Sequence, residues 1–130
     1  MALGSNRKVS VSKTGCAVET ALGLIGGRWK GVVIYWLLKE KRRFGELRRL
    51  LPSCTQRMLT LQLRELEADG LVKRTVFPEV PPHVEYELTP FGRSLEPVVI
   101  GLRDWGEQYK RRIERAQVAG ESARLRAKAG

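Results

Sequence analysis

Histidine occurs once in this chain of 130 residues, at His83, and cysteine only twice, at Cys16 and Cys54. Neither cysteine shares a metal-ligand spacing with a second Cys or His, which argues against a structural zinc site, and no other metal or cofactor is expected. No run approaches the roughly 18 apolar residues of a membrane span, and the amino-terminal residues lack the apolar core of a secretory signal. These absences predict a cytoplasmic protein without membrane contact, whose thiols are free by default. The groups an enzyme would need are also missing. No paired-carboxylate pocket is implied, no nucleophile has a histidine placed by spacing, and Gly26-Gly27 reads as a helix stop rather than a phosphate cradle. Thiol redox chemistry on Cys16 is the one enzymatic alternative that stands.

What the chain has in excess is positive charge, +10 in all, and its distribution is uneven. Residues 28 to 64 hold ten bases (Arg28, Lys30, Lys39, Lys41, Arg42, Arg43, Arg48, Arg49, Arg57, Arg64) against Glu40 and Glu46. Residues 65 to 107 are net negative, and both ends of the chain are basic. One block of sequence can therefore meet a polyanion while the next faces away from it. A regulator holding a specific DNA site and a nonspecific nucleic-acid-packing protein both fit this charge, and they separate by salt dependence and sequence preference.

The apolar residues supply the architecture. Residues 1–13 are polar and small and read as a flexible arm. Val18, Leu22 and Ile25 recur at helical spacing, and Gly26-Gly27 ends that first helix. Trp29, Val32, Val33, Trp36 and Leu37 form a second helix, and Phe44, Leu47, Leu50 and Leu51 a short third one stopped by Pro52. Thr55 caps a fourth, in which Leu59, Leu63 and Leu66 face inward up to Gly70. Two helices about a short turn make a helix-turn-helix. Leu71–Phe77 and Val84–Leu88 alternate as strands joined by a proline-rich tip, and a basic hairpin in this place is a wing. Thr89-Pro90 opens one last helix with the stripe Leu95, Val98, Val99, Leu102, Trp105 and Tyr109. The predicted fold is mainly α with a small β-hairpin (α+β): a winged helix-turn-helix, dimeric through its N- and C-terminal helices because one small domain cannot bury both stripes alone. The winged-helix and dimerisation domain spans 14–112, followed by a basic, frayed tail at 113–130.

The residues that carry this pattern also carry a resemblance. Cys16-Ala17-Val18-Glu19, Ile25-Gly26-Gly27-Arg28-Trp29-Lys30 and Phe44-Gly45-Glu46-Leu47 come first in order. They are followed by Gln56-Arg57-Met58-Leu59-Thr60, the run Leu63 to Leu71, Pro81-Pro82-His83-Val84-Glu85-Tyr86 and Leu88-Thr89-Pro90-Phe91-Gly92. Across about residues 16 to 106 the chain resembles the HxlR-type winged-helix regulators of bacteria and archaea. The resemblance implies a homodimeric DNA-binding regulator, often of its own or a neighbouring gene. Three positions depart from the family pattern: Ala17 stands where proline is common, Cys54 where a branched aliphatic is usual, and His83 where the wing tip commonly carries arginine or lysine. The last makes the wing contact weaker, or pH-sensitive if His83 is the tip contact.

The face of the fourth helix opposite its leucines presents Gln56, Arg57, Thr60, Leu61 and Arg64, which are the candidate readers of a palindromic operator in double-stranded DNA. Arginine pairs bidentately with guanine and glutamine with adenine, while Thr60 or Leu61 meets a thymine methyl. Arg64 has a second reading as a phosphate contact or an ion-pair partner. Ser53 and Thr55 are candidate phosphate contacts through hydroxyls and first-turn amides. Arg28, Lys30, Lys73 and Arg74 are further phosphate candidates, with a solvated surface as an equal alternative for each. Cys16, at a helix start with Glu19 three residues on, is a candidate redox sensor; a packing thiol at the dimer interface is the other reading. The resemblance favours sensing of oxidants, quinones or aldehydes, by modification or by a disulfide between subunits. Cys54 reads as packing first, with the added possibility that its oxidation disturbs the turn before the fourth helix.

Overall fold

The computed structural model describes residues 15–129. The expected arm at 1–13 lies outside the described residues. The chain divides into two compact units, one ending at Glu96 and the other beginning at Pro97.

The first unit holds helices α1 (Ala17–Ile25), α2 (Lys30–Lys39), α3 (Phe44–Leu50) and α4 (Gln56–Ala68), the last three packed on a small sheet. Its strands are β1 (Arg42–Arg43), β2 (Val72–Phe77) and β3 (His83–Leu88), in the order β1-β3-β2 and antiparallel throughout. The hairpin register runs from Val72 opposite Leu88 to Phe77 opposite His83, so the wing sits where the alternation placed it. The core is mainly apolar: Val33, Ile34 and Leu37 of α2, Leu47 of α3, and Leu59, Leu63 and Leu66 of α4 are buried together with Leu71, Val72 and Leu88. Burying such a side chain is worth about 1.5–3 kcal/mol, which is why three inward leucines fix the rotation of α4 about its axis.

The turn chemistry follows the expected rules. Thr55 accepts a hydrogen bond from the Met58 amide at 3.1 Å, the N-cap bond that starts α4. Gly70 ends it with φ +78°, a conformation that a side chain would strain. Thr89 accepts from the Gly92 amide at 3.0 Å and starts α5 (Pro90–Arg93), with Pro90 at the first helical position. Thr89 also donates to the Gly70 carbonyl at 2.6 Å, tying the end of α4 to the end of the wing. Gly92 lies so close to the Leu71 carbonyl that a Cβ there would collide with backbone.

Three features differ from expectation. β1 is a third strand; its two arginines pair with Tyr86 and Glu85 of β3. A strand of two residues has no alternation to read, and only the exposed edge of β3 makes it a strand. The single last helix is instead two, α5 and then α6 (Glu96–Ala129). Pro97 is the reason: it has no amide to offer the carbonyl four residues back, so a helix begun at Pro90 cannot run through it, whereas at the start of α6 that missing amide costs nothing.

The second unit is α6 itself, 34 residues and about 51 Å at 1.5 Å per residue. Where fraying was expected from residue 113, the helix continues to Ala129. Its far half is rich in Ala, Arg, Glu, Gln and Lys, all strong helix formers. Val98, Leu102, Trp105, Tyr109 and Ile113 are exposed along it, and the Trp105 and Tyr109 rings stack at 5.4 Å. On α1, Val18 and Leu22 are likewise exposed.

Candidate nucleic-acid interface

Because Leu59, Leu63 and Leu66 point into the core, the opposite face of α4 must lie outward. Gln56, Arg57, Thr60, Leu61 and Arg64 line one open recess there. All five candidate readers are thus brought onto one surface. Leu61 is 47% exposed, an apolar side chain the fold leaves outside. Arg57 and Arg64 are exposed and, among the described residues, neither has an ion-pair partner. The first turn of α4 carries no acid, so nothing there offsets the partial positive charge of its amides.

The hydroxyls and amide of this corner are already engaged. Thr60 donates to the Gln56 carbonyl at 2.9 Å. Gln56 Oε1 accepts from Arg48 Nη1 at 3.3 Å, a bond from the last turn of α3 to the first of α4. Thr55 uses its hydroxyl as a cap, which leaves Ser53, exposed in the turn, as the free hydroxyl of that pair.

The remaining phosphate candidates are placed differently. Lys30 is buried, and its Nζ lies 2.7 Å from Glu65 Oε1, joining α2 to α4. The expectation of a phosphate contact is corrected for this residue: its charge is satisfied inside the domain, because α4 turns Glu65 toward α2. Arg28 is exposed and lies over the Trp29 ring, 4.5 Å from its centroid. On the wing, Lys73 Nζ is 3.9 Å from Glu87 Oε1 across the hairpin, and Arg74 Nε is 3.4 Å from Glu67 Oε1 of α4. His83 is not a projecting tip. Its ring stacks on Phe77 at 4.5 Å, with Nδ1 3.3 Å from Glu79 and Nε2 3.3 Å from Glu85. Glu85 in turn meets Lys41 Nζ at 3.2 Å, and that hydrogen bond, assisted by His83, holds the Glu85 carboxyl below its usual range.

Exposed bases that the sequence counted but assigned no role are Lys39, Lys41, Arg43, Arg48 and Arg49, the last two in the final turn of α3. Their signal was the charge of the block from 28 to 64. Spacing could not point to those two, because the last turn of a seven-residue helix has no clear face.

The two thiols are in opposite settings. Cys16 is exposed at the N-cap of α1 and makes no side-chain capping bond. Cys54 is buried in the turn between α3 and α4, where burial pushes its thiol up in spite of the nearby Arg28 and Arg48 charges. Among the described residues no group of His, Cys, Asp or Glu is placed to hold a metal, and no helix is long and apolar enough to cross a membrane.

Comparison with known proteins agrees with this geometry. A model of the HxlR-like helix-turn-helix matches residues 24–114. The chain is 55% identical over 119 residues to YdeP, an uncharacterized HTH-type transcriptional regulator of Bacillus subtilis, covering 88% of this chain and 93% of that one. An HTH-type transcriptional regulator of Methanothermobacter thermautotrophicus is 52% identical over 94 residues, 72% of either chain. Among solved structures, the redox regulator HypR in its oxidized form aligns with a TM-score of 0.69 and 60% identity, covering 72% of this chain and 96% of that one. The reduced form of the transcriptional regulator YodB from B. subtilis aligns at 0.63 and 38%, covering 72% and 94%.

Proposed function

The chain belongs to the HxlR-like helix-turn-helix family of transcriptional regulators, and from that premise we propose that it represses genes by laying α4 in the major groove of a palindromic operator. The observation that carries this is the recess of Gln56, Arg57, Thr60, Leu61 and Arg64, a polar and basic face turned outward by a leucine core. Gln56, Arg57 and Thr60 form the base-reading corner, Leu61 offers a methyl-facing surface, and Arg64, Ser53 and Arg28 reach phosphate.

The working molecule is a homodimer in the cytoplasm and acts by binding, not by turnover. Support for the dimer is the apolar surface left outside: Val18 and Leu22 on α1, and Leu102, Trp105 and Tyr109 on α6. A second copy covers these faces and sets two α4 helices about one turn of DNA apart. Sedimentation of the wild type against Leu102→Asp tests it; a wild-type monomer at micromolar concentration refutes it.

Cys16 is the residue through which oxidants or electrophiles reach the regulator. It is exposed at the start of a helix. Two of the similar structures are of the redox regulator HypR and of diamide-treated YodB. Cys54, buried with its thiol pushed up, packs the turn. Footprinting of the chain's own upstream region, with and without diamide, tests both parts for wild type and Cys16→Ser. A protected palindrome lost on oxidation only in the wild type supports the reading. Uniform binding to random DNA with steep salt dependence refutes specific recognition, and an unchanged oxidant response in Cys16→Ser refutes the sensor.

A further inference from the structure

Resting on the reading of Gln56 as a base-contacting residue, we propose that Arg48 is a positioning residue which decides the base edge Gln56 recognises. Arg48 lies in the last turn of α3 and Gln56 is the first residue of α4. The two are joined by the bond from Arg48 Nη1 to Gln56 Oε1 at 3.3 Å. The link is set by the backbone on both sides of it. Leu51 and Cys54 are buried, the Cys54 amide donates to the Leu51 carbonyl at 3.0 Å, and Thr55 caps α4. The turn therefore holds both residues in place without help from DNA.

The chemistry of the pair is asymmetric. A guanidinium has five N–H donors and no acceptor, so the amide atom that faces Arg48 is necessarily the oxygen. A glutamine free to turn presents oxygen and nitrogen together and pairs bidentately with adenine N6 and N7. Gln56 commits one of the two lone pairs of its oxygen to Arg48, so the edge it turns to the groove is led by its Nε2 donors, with the other N–H groups of Arg48 beside them. A donor-rich edge suits O6 and N7 of guanine or O4 of thymine. It is opposed by the amino groups of adenine and cytosine. Arg48 thus changes what Gln56 selects, with no base contact required of its own.

Competitive binding of the full-length protein to a matrix of single-base operator variants tests this. Gln56→Ala identifies the position under Gln56 by flattening preference there. At that position the wild type favours guanine or thymine over adenine, on the order of 10-fold. Arg48→Ala shifts the preference to adenine, Arg48→Lys keeps the wild-type order because an ammonium is also a pure donor, and Arg48→Ala added to Gln56→Ala changes nothing further at that position. An Arg48→Ala protein that binds all variants more weakly but in the same order shows a phosphate contact alone and overturns the proposal. A matrix unaltered by Gln56→Ala overturns the reading of Gln56 and this proposal with it, a result distinct from the previous one.

Discussion

The reading helix and the wing each carry two formal positive charges, Arg57 and Arg64 on the one and Lys73 and Arg74 on the other, yet they hold that charge in different ways. On α4, Arg57 and Arg64 stand exposed without an ion-pair partner among the described residues, whereas on the wing Lys73 faces Glu87, Arg74 faces Glu67, and His83 lies between Glu79 and Glu85. The exposed pairs, Lys73 with Glu87 and Arg74 with Glu67, add little stability, about 0–1 kcal/mol. Their larger consequence is electrostatic: a base already beside a carboxylate releases fewer counterions on meeting phosphate. Net charge thus says that the domain can meet DNA, and pairing says where. On the proposed reading the helix discriminates and the wing steadies.

The comparison can be broken or sharpened in four ways. The largest effect belongs to Arg57→Ala, which removes a free, base-reading charge and costs about 1–3 kcal/mol of discrimination, or roughly 5- to 150-fold at one operator position. Competitive binding with single-base variants reads it, and an unchanged preference at every position contradicts the assignment of the reading corner. Next is Lys30→Ala. Its amine is committed to Glu65 inside the domain, so the loss appears in stability, about 1–3 kcal/mol by urea unfolding, with the salt slope of DNA binding unaltered. A reduced slope at unchanged stability would return Lys30 to the phosphate contacts.

Smaller is Lys73→Ala on the wing. Affinity should fall evenly across sequences, and the salt slope should fall by less than the unit of about 1 expected of a full phosphate contact, since Glu87 is already near. A slope lower by a full unit places the wing on a par with the helix. The smallest effect is one of pH. The Glu85 carboxyl is held below its usual range by the hydrogen bond from Lys41 and by His83, so its ionised form is favoured in the folded state. That contribution is complete above the ordinary carboxylate range and is lost as pH falls through the lowered folded value. Thermal melts from pH 7 to pH 3 should therefore show a shallower acid decline for Glu85→Gln than for wild type, and parallel declines would remove the Lys41–Glu85 link from the account.

Much of this was legible in advance because its causes are local. Helical spacing of Leu59, Leu63 and Leu66 fixes which face of α4 is outward, and that face is the recess of five predicted readers. Capping by Thr55 and Thr89 and the left-handed stop at Gly70 follow from residue type at an element boundary. The clearest misreading concerns a partner distant in sequence. Lys30 was counted with the phosphate contacts because Glu65, 35 positions on, gives no sign of its nearness in a list of charges. His83 was read as a tip contact only conditionally, and the register of β2 and β3 places it opposite Phe77, in the last pair before the tip.

The amino-acid sequence alone determined the order of elements, the inward stripe of each helix, the turns, and the polarised charge that marks one block for a polyanion. Each of these depends on residues within a few positions of one another, where spacing and side-chain chemistry suffice. Tertiary structure alone decided which of those charges remain free. It made β1 a strand on the edge of β3, buried Lys30 against Glu65, paired the wing's bases, and set Arg48 against Gln56. Pairing depends on distance in space, and that distance exists only once the helices have packed.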